Sequence, residues 1–192
     1  MKTFELIATS TFGLETMVRR EVEDLGYEIE SVSDGKVTYI GDAEAIALSN
    51  LWLRSADRVL IKMGEFKATT FVELFDKVAA LPWEKWITKD AKFTVNGKSV
   101  KSKLFSISDC QAITKKAIVK RLSSVYNMDW FPETGPSYTV QVSILKDVAT
   151  LTIDTTGREG LHKRGYRVNN VEAPLKETMA AALLQISYWK KG

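Results

Sequence analysis

The sequence predicts an α+β protein: two successive units that each mix helices with strands, followed by a C-terminal helix. Three observations carry this. The first 66 residues read β-α-β-β-α-β, the order of the ferredoxin-like split βαβ arrangement. A second set of helical and alternating segments begins near Ala68. A polar, glycine-bearing stretch, DTTGREGLHKRGYRVNN, then separates that set from PLKETMAAALLQISYW. The expected domains are 1–67, 68–156 and 157–192.

The elements follow in order. Residues 2–9, KTFELIAT, alternate as a strand should. Ser10 or Thr11 offers an N-cap for a helix whose apolar positions are Leu14, Met17, Val18, Val22 and Leu25, with Glu21 out of pattern and Gly26 as the stop. Asp34-Gly35 between two β-rich runs predicts a hairpin, because glycine tolerates the positive φ of a tight turn. Asp42 can cap a second helix with Ala45, Ile46, Leu48, Leu51, Trp52 and Leu53 as its apolar positions, and 57–66 reads as a strand.

In the second unit Thr70-x-x-Glu73 is a capping box, and Pro82 ends the helix it opens. Trp83 and Trp86 are expected in the core, although exposed tryptophans could stack on bases. Lys92–Val100 is a strand or a bent strand through Asn96-Gly97. Ser106 or Ser108 caps a helix with Ile113, Ala117, Ile118, Leu122, Val125 and Tyr126 on its apolar face. Tyr138–Leu145 and Val148–Ile153 form a second hairpin across Lys146-Asp147. Pro174, at a first helical position, starts the last helix. Its broad apolar face predicts a junction with a further domain.

Charge is unevenly placed. Lys92–Arg121 holds eight Lys/Arg against one acid, Asp109, a local +7 in a chain of net +3. Residues 1–66 carry seven basic and twelve acidic side chains. A basic balance concentrated in one segment is the footprint of a phosphate-binding surface, the rival reading being a solvated lysine-rich face. Lys98, Lys101, Lys103, Lys115, Lys116, Lys120 and Arg121 are the candidate contacts, and His162, Lys163, Arg164 and Arg167 could continue the track.

Other chemistry is disfavoured. One Cys and one His make no zinc site of usual composition, and Cys110 with His162 lacks any motif of a nucleophile pair. Gly157 and Gly160 have only G-x-x-G spacing, without the context of a phosphate loop. No 18-residue apolar run suits a membrane span, and Glu5 and Thr9 interrupt any signal core. A lone cysteine fits a reducing cytoplasm, the expected location.

The residues Gly160-Leu161-His162-Lys163-Arg164-Gly165-Tyr166-Arg167, followed by Ala173-Pro174-Leu175-Lys176-Glu177-Thr178-Met179-Ala180-Ala181-Ala182-Leu183-Leu184, resemble a junction in bacterial THUMP-domain RNA methyltransferases. That group is similar to the 23S rRNA guanine-N2 methyltransferases and is often labelled N6-adenine-specific DNA methylase. Phe4–Thr9 with Phe12-Gly13-Leu14-Glu15 resembles its opening. The resemblance covers essentially the whole chain. It implies that 68–156 is a THUMP domain binding structured, ribosomal RNA, and that 157–192 leads into an S-adenosylmethionine-dependent domain. The family's Asp-Pro-Phe-Cys-Gly-Ser-Gly-Thr type cofactor loop and Asn-Pro-Pro-Tyr type catalytic motif match no position here, so no catalytic or cofactor residue is assigned and no cofactor is expected on this chain. The rival readings are a dimerisation or interaction scaffold that binds no nucleic acid, and a fragment of a tRNA or DNA adenine methyltransferase. Oligomeric state is not predicted.

Overall fold

The computed structural model describes residues 3–167, 172–187 and 189. The chain divides into two units, Met1–Ile61 with Thr155–Gly192, and Lys62–Asp154. The described residues hold seven strands and five α-helices.

In the first unit β1 (Phe4–Thr9), β2 (Ile29–Ser33), β3 (Lys36–Gly41) and the start of β4 (Arg58–Lys67) form an antiparallel sheet in the order β2-β3-β1-β4. With α1 (Glu15–Asp24) and α2 (Ala43–Trp52) this is the ferredoxin-like arrangement that the element order predicts. Asp42 caps α2 through Ala45 N at 3.1 Å. Tyr39, fully buried, donates its hydroxyl to Ser49 Oγ at 2.7 Å, and burial pushes its pKa up to about 12.

Helix α1 departs from expectation. Neither Ser10 nor Thr11 caps it; the N-cap is Leu14, which has no side chain to bond a free N–H. Glu15, the first helical residue, bonds outside the helix. Its carboxylate accepts from Gly13 N at 2.9 Å and from Gly35 N at 2.7 Å, so one side chain serves the helix start and ties down the β2–β3 turn. The Gly35 N–H, chiefly, holds this carboxyl below the usual range.

Residues 155–167 dock on their own unit rather than forming a free linker. Leu161 N donates to Asp57 O at 2.8 Å, Arg58 donates to Gly157 O at 2.7 Å and Arg158 O at 3.2 Å, and Leu161 is buried. The last helix, α5 (Glu177–Ile186), starts three residues after Pro174. Ala173 takes φ 49°, and Lys176 stays extended as the N-cap. Asp57 sets that start: it accepts from Lys176 Nζ at 2.7 Å and Thr178 Oγ1 at 2.9 Å. Ala182 and Met179 then pack on Leu14 and Met17 of α1.

In the second unit the rest of β4 continues into the order β4-β7-β6-β5, with β5 (Lys92–Val100), β6 (Ser137–Leu145) and β7 (Val148–Asp154). The Thr70–Glu73 box opens α3 (Phe71–Ala79): Thr70 Oγ1 accepts from Glu73 N at 3.2 Å, while Glu73 reaches Thr69 N at 2.7 Å. Trp83 is fully buried, its indole N–H donating to Val78 O at 2.7 Å, a core residue as expected. Strands β5 and β6 are parallel, so their connection needs a crossover, supplied by α4 (Ile107–Tyr126). Gly97 lies under it: a Cβ there would come within 2.9 Å of Gln111 Cγ. Lys146 and Asp147, both at positive φ, make the β6–β7 hairpin turn.

Candidate nucleic-acid interface

The basic segment occupies β5, the loop after it and α4. In α4 the residues Cys110, Thr114, Ala117, Ile118 and Leu122 are buried, which turns Lys115, Lys116 and Lys120 to solvent. Ser106 stands at the N-cap of α4, one of the two positions expected, but its hydroxyl makes no capping bond; it lies 3.3 Å from Ser108 Oγ. Lys115 Nζ stands 5.7 Å from the Phe93 ring centroid, and Lys120 Nζ stands 5.2 Å from that of Phe75. Such contacts orient an ammonium without neutralising it.

Lys98 is exposed on β5, and Lys101 and Lys103 are exposed on the loop. The loop is pinned. Ser102 Oγ donates to Val100 O at 2.9 Å, Lys103 N donates to Asp147 Oδ1 at 2.7 Å, and Ser99 Oγ donates to Leu104 O at 2.6 Å. None of these six lysines is paired with a carboxylate among the described residues.

Arg121 is placed differently. Its guanidinium donates to both Glu84 oxygens, at 2.7 and 3.0 Å. The Arg121 hydrogen bonds hold the Glu84 carboxyl below its usual range, and Glu84 raises Arg121. Arg121 thus ties α4 to the short Trp83–Lys85 turn.

His162, Lys163, Arg164 and Arg167 belong to the first unit, the lysine patch to the second. Lys163 pairs with Glu159 at 3.1 Å. Arg164 donates to Leu51 O at 2.6 Å and Leu53 O at 2.5 Å, carbonyls that the end of α2 leaves open. Arg167 donates to Leu175 O at 2.7 Å, and His162 Nδ1 is buried without a hydrogen-bond partner. Leu51 and Trp52, expected on an apolar face, are instead exposed and line a cavity of about 490 Å³ with Leu161, Arg164, Tyr166 and Leu184.

Cys110 is buried, its S–H directed at Leu104 O 3.8 Å away, and burial pushes the thiol up, the opposite of an activated nucleophile. Among the described residues no three His, Cys, Asp or Glu cluster as a metal site would need, and no helix is long and apolar enough to cross a membrane. Sequence reasoning passed over Phe105, which is 82% exposed beside Lys103. The available signal was its place just outside the buried stripe of α4.

Two family profiles match the chain: the RlmL ferredoxin-like domain over residues 5–60 and the THUMP domain over residues 68–154. The chain is 53% identical over 191 residues to "Putative RNA methyltransferase YpsC" of Bacillus subtilis, covering 98% of this chain and 49% of that protein. It is similar to the crystal structure of "a predicted N6-adenine-specific DNA methylase from Listeria monocytogenes", at 58% identity and TM-score 0.94 over 98% of this chain and 50% of that one. It is also similar to "SMU.472, a putative methyltransferase complexed with SAH", at 49% identity and TM-score 0.91, again over 98% and 50%. The chain spans about half the length of these relatives. The resemblance read from the sequence holds.

Proposed function

Since the chain belongs to the THUMP-domain proteins that open with an RlmL ferredoxin-like domain, we propose that it is the RNA-recognition part of an S-adenosylmethionine-dependent RNA methyltransferase. The observation that carries this is the set of six exposed lysines, unpaired with acids, on β5, its loop and α4. They hold phosphates, which supply affinity and register but little sequence information. Structured RNA is then recognised by shape, and the base to be modified is extruded toward a catalytic pocket outside this chain. The domains are taken as 1–67, 68–156 and 157–192, the last leading into the catalytic half. The half-exposed Leu183, Leu184 and Ile186 of α5 support that role, as surface a further domain would cover. The substrate is taken as ribosomal RNA, the methylated atom as guanine N2 and the location as the cytoplasm. Arg121, His162, Lys163, Arg164 and Arg167 stand as secondary contacts.

S-adenosylmethionine is the cofactor of the intact protein, a reading the SAH complex of SMU.472 supports. The glycine-bearing loop at 157–160 offers no cradle for it. At Gly160 the space for a Cβ is filled by the His162 ring at 3.0 Å and Asp57 O at 3.3 Å, and the carbonyls of Gly157 and Arg158 are taken by Arg58, so no cradle is open there.

The test is retention of labelled ribosomal RNA fragments by the purified chain, with duplex DNA of equal length as competitor. Retention that DNA does not displace at matched charge is the expected result. No retention, with concentration-dependent dimerisation instead, would replace this reading with the scaffold one.

A further inference from the structure

We infer that Phe105 is a stacking platform for an unpaired RNA base at the edge of the lysine patch, an inference that rests on the RNA reading above. Phe105 is 82% exposed, while its neighbour Leu104 is only 5% exposed. The backbone enforces that opposition. Leu104 O accepts from Ser99 Oγ at 2.6 Å, Phe105 N donates to Lys103 O at 3.1 Å, and Ser106 O takes the Cys110 N–H at 3.0 Å, starting α4 directly after it. The residue is anchored on both sides, so its ring is presented outward at small entropic cost to a ligand.

The surroundings select the ligand. Lys101 and Lys103 are exposed within four residues of Phe105. Asp147, the acid bonded to this loop, accepts the Lys103 N–H, and Asp109 lies on the first turn of α4. An exposed aromatic ring on a pinned main chain, with two exposed lysines within four residues of it, suits a nucleotide, whose base stacks while its phosphates meet the cations. Bases paired within a helix offer no free face, so the substrate class narrows to structured RNA carrying a single-stranded end.

The experiment compares the chain with F105A, F105L and F105W on a blunt RNA hairpin and on the same hairpin carrying a short tail that contains 2-aminopurine. Wild type and F105W are expected to bind the tailed hairpin alike and to quench the 2-aminopurine. F105A and F105L should bind it roughly 5- to 100-fold more weakly, lose the quench, and bind the blunt hairpin as wild type does. Their salt dependence should be unchanged, because no charge is altered. Equal binding of the tailed hairpin by wild type and F105A would overturn the inference. So would F105L behaving as wild type, which would make Phe105 an apolar contact rather than a stack, or a loss of self-association in F105A, which would make it a protein contact. Failure of wild type to retain either hairpin would instead overturn the RNA reading itself.

Discussion

Removing the three lysines of α4 should change how binding responds to salt as well as how tight it is. K115A/K116A/K120A takes away three exposed ammonium groups, none paired with an acid among the described residues. Each phosphate neutralised contributes roughly −0.7 to −0.9 to the slope of log K against log salt. If all six lysines of the patch engage, the wild-type slope is about −4 to −5, and the triple variant falls to about −2 to −3. From roughly 50 to 200 mM salt, wild-type affinity should drop about a thousandfold and that of the variant about thirtyfold. Titrating a labelled RNA hairpin at four salt concentrations by anisotropy measures both. Stability should move little, since the lost cation–π contacts to Phe93 and Phe75 come from exposed ammonium groups and contribute about 0.5 kcal/mol each. A variant that binds more weakly with an unchanged slope would refute the reasoning, because its lysines would then be acting through folding rather than through phosphates.

Arg121 should separate from that patch. R121A or E84Q should lower the urea midpoint at pH 7, because each removes the two-pronged pair between α4 and the Trp83–Lys85 turn. Glu84 has its pKa depressed in the fold, so its contribution is present above the ordinary glutamate pKa of about 4.3 and is lost as pH falls through the lower folded value. The gap between E84Q and wild type should therefore close in acid; a gap that persists there would assign it to packing. R164A should cost about 1–2 kcal/mol by leaving carbonyls at the end of α2 without donors, and R164K, with no two-pronged fork, should restore only part. If R164A keeps full stability and loses RNA affinity, Arg164 is a phosphate ligand instead. D57N should loosen the start of α5 by removing the Lys176 ion pair, read as faster hydrogen exchange at Met179–Ala182 with β1 and β3 unchanged.

Local signals were legible in the sequence wherever both partners of a contact lie within one turn. The Asp34-Gly35 hairpin, the Asp42 cap and the Thr70–Glu73 box each involve residues at most a few positions apart. The reading failed where a partner is remote. Ser10 and Thr11 do not cap α1, and the start of the helix is instead tied through Glu15 to Gly35, twenty residues away. Pro174 does not open α5 because Asp57 fixes the start through Lys176 and Thr178. Glu21 looked like a flaw in the apolar pattern of α1. Its carboxylate in fact accepts from Arg54 N and Ser55 N, both at 3.0 Å, and from the Gln185 amide, which joins α1, the loop before β4 and α5. The charge excess of Lys92–Arg121 was legible, but composition could not reveal that Arg121 is bonded to Glu84 while Lys116 faces open solvent.

The same distinction bears on the acidic module. Its negative charge looks at first like a surface field opposed to the basic segment. Yet Glu15, Glu21, Asp42 and Asp57 each direct their oxygens at N–H, hydroxyl or ammonium donors inside their own unit. A carboxylate so engaged is held by short-range hydrogen bonds that added salt screens weakly, unlike the long-range field of an exposed charge. The lysines of β5, its loop and α4 have no such internal partners, so their field is the one a polyanion meets. Net charge per domain therefore counts acids already engaged by donors together with lysines that have no acidic partner among the described residues. These four acids help to build the first unit, and the lysines of the second remain available to bind, which is why the salt slope and not the isoelectric point is the quantity that tests the proposed function.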